Sequence, residues 1–168
     1  MREHQEHTRD QQVQTGVAIL IVSDTRSEES DESGKLATKL LTQKGHHVFA
    51  HLIVKNDRTA IQSALLTFLR DPRIQVIITS GGTGISSRDV TVDVVSELFE
   101  KTMVGFGEFF RRISLEEIGD AAMISRATAG IINGRAIFCL PGSKNAVKSG
   151  LTYLILPSLG HLLWEANR

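Results

Sequence analysis

The chain has 168 residues, of which 41% are hydrophobic and 23% charged, the profile of an ordinary globular domain long enough to bury a core without disulfide or metal staples. Lys+Arg and Asp+Glu both number 19, so the formal net charge is zero, which speaks against a general nucleic-acid or membrane-surface binder. The single Cys139 leaves no disulfide framework or Cys-x-x-Cys site and fits a reducing, cytoplasmic compartment. No apolar run approaches the roughly 20 residues of a membrane span.

Met1–Gln14 is charged and polar, with Val13 its only aliphatic residue after Met1. It reads as a mobile tail rather than a secretory signal. Order is expected from Thr15 to the C-terminus as one domain. Val17–Val22 is a short apolar run, the mark of a strand buried on both faces. A polar stretch follows, Ser23–Gly34. Lys35–Lys44 then sets Leu36, Ala37, Leu40 and Leu41 on one helical face, stopped by Gly45. His46–Val54 reads as a second strand. Asn56-Asp57 is placed to cap a helix over Arg58–Arg70, which Asp71-Pro72 ends.

Ile74–Thr79 is a third buried strand, followed at once by Ser80-Gly81-Gly82-Thr83-Gly84. Helices are expected over Val90–Glu100 and Phe106–Ile118. The second concentrates Phe106, Phe109, Phe110 and Ile113, which serve either as core or as the face of a symmetric oligomer. Asn133-Gly134 between apolar runs signals a hairpin. Pro141-Gly142 leads into a helix from Lys144, broken at Pro157 and resumed to Trp164. The order predicts an α/β domain with a mostly parallel sheet and one antiparallel hairpin strand.

In such a sheet, ligands bind outside the carboxyl ends of the strands. Three polar or glycine-rich loops leave those ends: Ser23–Gly34, Ser80–Asp89 and Pro141–Asn145. Three glycines in four positions let the middle loop approach a ligand closely and aim its N–H groups inward. It is neither a Walker A loop, having no lysine, nor a dinucleotide fingerprint, having Ser87 where the third glycine belongs. Asp89 and Asp57 each precede a helix, so each reads equally as an N-cap or as a Mg²⁺ ligand beside phosphate. Asp24 and Asp31 are further candidates within an acidic loop. His47 and His51 lie roughly 13 Å apart along a strand at about 3.3 Å per residue, too far to share a metal. Cys139, in an apolar run, reads as a small buried hydrophobe. No nucleophile–histidine pattern appears.

Thr79-Ser80-Gly81-Gly82-Thr83-Gly84, Arg88-Asp89-Val90-Thr91, Gly105-Phe106-Gly107-Glu108, Ile124-Ser125-Arg126-Ala127 and Leu140-Pro141-Gly142-Ser143 occur in this order. With Val22-Ser23-Asp24 and Asp31-Glu32-Ser33-Gly34 they resemble the MoaB/MogA family of molybdenum cofactor biosynthesis proteins, whose domain also occurs in gephyrin. The resemblance runs from Thr15 to Trp164. It implies a three-layer α/β/α sandwich and adenylyl transfer: molybdopterin is bound and activated with Mg-ATP to adenylyl-molybdopterin, releasing pyrophosphate. It also implies a trimer or a dimer of trimers, and contact with other proteins of the pathway. Position by position, Asp57 and Asp89 match functionally important acidic positions, and Glu108 matches the Gly-Phe-Gly-Glu motif in either a catalytic or a helix-start role. Thr79, Ser80, Gly81, Gly82, Thr83 and Gly84 match the phosphate loop. Asp24, Asp31, Ser33 and Gly34 match the first substrate loop, and Pro141, Gly142 and Ser143 the third. Val92 stands where many relatives have proline, and Lys144 departs from the third-loop pattern by adding a positive charge.

The chemistry suits these residues. A phosphate nucleophile is already anionic, so the barrier is charge repulsion and alignment, met by positioning, Mg²⁺ and inward N–H donors. The competing reading is a molybdopterin carrier with little or no catalysis. A third, a scaffold without enzymatic role, is disfavoured by the lack of a second domain.

Overall fold

The computed structural model describes residues 13–168; the expected tail at 1–14 falls almost wholly outside the described residues. Strand β1, Gly16–Val22, is buried at all seven positions. Its Val17, Ile19 and Ile21 face one core and its Ala18, Leu20 and Val22 another. That two-sided burial is why the segment shows a continuous apolar run rather than alternation. Helix α1, Glu32–Gln43, starts before the expected Lys35 because Asp31 caps it, accepting from the Gly34 N–H at 2.9 Å. Gly45, at φ 84°, ends it, and the His46 N–H turns back to the Leu41 carbonyl.

Strand β2, His47–Val54, is followed by α2, Arg58–Arg70, capped by Asp57. Then come β3, Val76–Ser80, and α3, Thr91–Leu98. A two-residue strand that periodicity cannot reveal, β4 (Lys101–Thr102), precedes α4, Val104–Ile118, and a 3₁₀ turn at Gly119–Ile124. Strands β5, Thr128–Ile132, and β6, Arg135–Leu140, form the expected hairpin. Its Asn133 and Gly134 both have positive φ, 48° and 71°, as a type I′ turn requires.

The last helical stretch corrects the sequence reading. Helix α5, Lys144–Ser149, continues through a π-turn at Gly150–Ile155 into α6, Leu156–Asn167, without a break at Pro157. The Leu156 N–H reaches back to Leu151. This wider turn lies just before the proline, where a regular α-turn would push its ring against a carbonyl.

The six strands lie in the order β2-β1-β3-β6-β5-β4. Pairs β1–β2, β1–β3 and β3–β6 are parallel, and the hairpin and β4–β5 pairs antiparallel. Helices α1, α4, α5 and α6 cover one face of the sheet, through Leu41, Phe110, Val147 and Leu159. Helices α2 and α3 cover the other, through Ile61, Leu65, Phe68 and Val95. The connection from β1 therefore leaves on one face and that from β3 on the other, opening a crevice between their carboxyl ends.

The aromatic cluster of α4 divides. Phe110 is 1% exposed and Phe109 59%. Phe106 bridges the helix to the sheet, its ring 5.2 Å from that of Phe138. Phe110 is thus core, and only Phe109 of this adjacent pair is offered to a partner. We expect Phe110→Ala to cost about 3–5 kcal/mol in urea unfolding, and Phe110→Glu to abolish folding rather than dissociate an oligomer. A soluble, folded Phe110→Glu protein would contradict this. Burial also pushes the Cys139 thiol up to about 12. The native protein at pH 8 should therefore resist thiol reagents until urea unfolds it, whereas prompt modification without unfolding would show the site to be open.

Candidate functional site

Three strand ends are packed into one. The Gly81 N–H donates to the Leu140 carbonyl at 2.9 Å, and Ser80 Oγ donates to the Pro141 carbonyl at 3.2 Å, tying the middle loop to the third. Gly81, at φ 107°, presses against β1: a Cβ there would lie 2.2 Å from the Val22 carbonyl oxygen, so no other residue fits. The first loop is joined by Arg26, whose guanidinium donates to Ser33 Oγ and to the Gly142 carbonyl, both at 2.6 Å.

The result is a cleft of about 290 Å³ whose polar wall is formed by Gly82, Thr83, Gly84, Asp89, Pro141 and Gly142. Gly82 also has positive φ, 68°. The back of this wall is held by Arg126. Its N–H donates to the Thr83 carbonyl, its Nε to Gly84 and its Nη2 to Asp89, at 2.8, 2.7 and 2.6 Å. The same guanidinium grips both oxygens of Asp93 at 2.9 and 3.0 Å, which holds the Asp93 carboxyl below its usual range.

Two buried acceptors lie beneath the loop without a hydrogen-bond partner, Asn56 Oδ1 and Thr91 Oγ1. Both are within 3.1 Å of the point a Gly82 Cβ would occupy.

The carboxylates have structural work. Asp57 Oδ2 accepts from the Ala60 N–H at 2.8 Å as the N-cap of α2. Asp89 is no cap: α3 begins after Val90 with no side-chain cap. Instead Asp89 Oδ2 accepts from the Ser86 N–H at 3.0 Å and closes the end of the glycine loop. Asp24 Oδ1 accepts from the Asn56 N–H at 3.0 Å, and its other oxygen lies 4.0 Å from Arg88. These bonds bring the exits of β1, β2 and β3 together. Among the described residues no group of three His, Cys, Asp or Glu could hold a metal by itself. Asp89, which lines the cleft, keeps a second oxygen outside these bonds, as does Asp57 at the neighbouring exit of β2, which does not line it; one such carboxylate oxygen fits a Mg²⁺ that rests otherwise on the phosphate oxygens it accompanies.

Other expected residues stand elsewhere. Asp31 is wholly buried, its carboxylate accepting from the Gly34 N–H, from Ser33 Oγ and from His51, whose Nε2 is 2.8 Å away. Gly34 is needed for that pair, since a Cβ would lie 2.1 Å from Asp31 Oδ2 and 2.4 Å from His51 Nε2. Thr79 is buried within β3. Ser143 caps α5, accepting from the Ala146 N–H. Lys144 pairs with Glu32 at 3.6 Å. Glu108 is exposed in α4, past its first turn, and does not line the cleft.

Sequence reading missed Arg26 and the contact partner of His51, and it saw in Arg126 only part of a motif. No local pattern marks them, because the decisive partners, Gly142 for Arg26, Asp31 for His51 and Gly84 for Arg126, are 116, 20 and 42 residues away.

Gly82→Ala should lower both the affinity for pyrophosphate and the melting temperature, because its Cβ would sit 2.2 Å from Thr91 Oγ1. Combining it with Thr91→Ala should recover part of the stability. Calorimetry and thermal melts check this; a loss of affinity with unchanged melting temperature would mean that the loop opens freely around the new methyl group.

The family described as a probable molybdopterin binding domain matches residues 18–161. Molybdenum cofactor biosynthesis protein B of Bacillus cereus is 46% identical over 164 residues, 97% of each chain. A crystal structure of a molybdenum cofactor biosynthesis protein B superposes with a TM-score of 0.90 at 46% identity, covering 94% of this chain and 98% of the other. The Pyrococcus furiosus protein described as tungsten cofactor synthesizing MoaB gives 0.83 at 39%, covering 92% and 98%. The α/β architecture is thus shared with solved members of a known family, and the chain belongs to it: the molybdopterin-binding-domain family, among relatives named molybdenum cofactor biosynthesis protein B.

Proposed function

We propose that the chain binds molybdopterin and transfers AMP to it from Mg-ATP, giving adenylyl-molybdopterin and pyrophosphate. The observation that carries this reading is the convergence of three strand-end loops around a glycine turn, with the Asp89 carboxylate in the cleft they form. In the reaction an oxygen of the terminal phosphate of molybdopterin forms a bond to the α-phosphorus of ATP. The bond from that phosphorus to the bridging oxygen breaks, and pyrophosphate leaves with the electron pair. Bound Mg²⁺ supplies charge neutralisation between the phosphates. The chain itself supplies alignment: the Gly82–Gly84 backbone receives phosphate oxygens, Arg126 keeps that backbone rigid, and Asp57 and Asp89 offer the metal their remaining oxygens. No side chain has to take a proton from the nucleophile, which suits a cleft without a histidine–nucleophile pair.

A carrier reading has one specific observation in its favour. Asp57 caps α2 and Asp89 closes the glycine loop, so both carboxylates have reasons to be present without catalysis. A cytoplasmic location accompanies either reading; among the described residues no helix is long and apolar enough to cross a membrane. The expected trimer or dimer of trimers is supported by the apolar surface of α4, where Val104 and Phe109 are 66% and 59% exposed.

The two readings separate at the aspartates. Asp57→Asn and Asp89→Asn each keep an amide oxygen to accept from Ala60 or Ser86, but remove the charge a metal needs. We expect melting within about 2–4 °C of wild type and pyrophosphate release from molybdopterin and Mg-ATP reduced on the order of 10²-fold. Unchanged release would assign both aspartates to structure alone.

A further inference from the structure

The cleft has a second wall, of opposite character. It is made by the end of α4 and the 3₁₀ turn after it, through Ile118, Ala121 and Ile124. Ile118 is 58% exposed and Ile124 49%, apolar surface that neither core of the chain covers. This wall is held in register with the glycine loop. Gly119, at φ 66°, redirects the chain after α4. The Ser125 N–H closes the 3₁₀ turn on Ala122 at 3.2 Å, and the next residue, Arg126, bonds to Thr83 and Gly84. An aliphatic ledge thus lines the same cleft of about 290 Å³ as Gly82, Thr83 and Gly84 of the glycine loop.

A ligand complementary to both walls has a phosphate at one end and a flat, largely apolar face at the other. We propose that Ile118, Ala121 and Ile124 form the binding ledge for a planar nitrogen heterocycle whose phosphate lies in the glycine loop, and so decide which ring-bearing phosphate the cleft accepts. This rests on the phosphate reading of the loop given above. The volume suits one ring with its phosphate, so the ledge serves one of the two ring-bearing partners of the reaction, a pterin or an adenine. Ring faces gain dispersion contacts and release water against aliphatic side chains, a gain that a bare phosphate does not share. That difference supplies the test.

The full chain carrying Ile118→Ser with Ile124→Ser, and a conservative pair with leucine at both positions, are titrated by calorimetry with three probes: inorganic pyrophosphate, AMP and a pterin monophosphate. Both sites are exposed, so folding is expected to persist, and thermal melts verify it. The serine pair should bind pyrophosphate within about twofold of wild type while losing about tenfold or more for one ring-bearing probe. The leucine pair should retain that affinity. The probe that is lost, AMP or the pterin, identifies the ring. Equal losses for pyrophosphate and both rings would show that these residues act only through the loop, and overturn the ledge. So would unchanged ring affinity, with or without a fall in molecular mass by light scattering; a fall would mark the surface as a contact between copies. Wild-type protein that binds none of the three probes would overturn the phosphate reading itself, and the ledge with it.

Discussion

The close approach of Gly81 to Val22 is the contact on which the site depends. A Cβ would come within 2.2 Å of a backbone carbonyl oxygen that is fixed inside the sheet, so glycine is a steric requirement here as well as a conformational one. The Gly81 N–H is spent on Leu140 of β6, and the chain then turns through left-handed Gly82. Three strand ends are thereby locked at adjacent positions, and the loops leaving them have no choice but to share a cleft. Side chains complete what the backbone begins. Arg26 spans the first and third loops, and Arg126 braces the second from behind.

This construction explains why so much of the local charge is engaged. Asp93 neutralises Arg126, Asp31 is buried against His51, and Asp57 and Asp89 each satisfy a backbone N–H. The polyphosphate binding proposed for the cleft requires it to keep its own donors aimed and its own acceptors from collapsing onto them. Pairing each acidic group with a fixed N–H or guanidinium does this while leaving single oxygens for a metal. The chemistry proposed for the cleft asks for rigidity above all, since the reacting groups are already ionised and have only to be brought into line.

Elements with a local cause were legible in the sequence. Helix α2 runs over Arg58–Arg70 as expected, because both its cap and its stop are written beside it. The hairpin follows from Asn133-Gly134, and the doubly buried strands from their apolar runs. Features with a distant cause were not. The short β4 exists only because β5 is there to pair with it. The helix passes Pro157 because a π-turn precedes it. Phe109 and Phe110 are neighbours of the same type, and only the packing of α4 decides that one is core and the other surface. At the site, the glycine loop and its carboxylates were visible as motifs. The contact of buried Asp31 with His51, the ties from Arg26 to Gly142 and from Arg126 to Gly84, and the placing of Ile118–Ile124 in the same cleft as the glycine loop depend on long-range packing that no window of sequence contains.

The most direct test of the account follows the phosphorus. Wild-type protein is incubated with molybdopterin, Mg²⁺ and ATP labelled at the α-phosphate, and the products are separated. Adenylyl transfer predicts label in a molybdopterin adduct, formed in step with unlabelled pyrophosphate. Label remaining in ATP while molybdopterin is bound would contradict it, and leave the cleft as a carrier site.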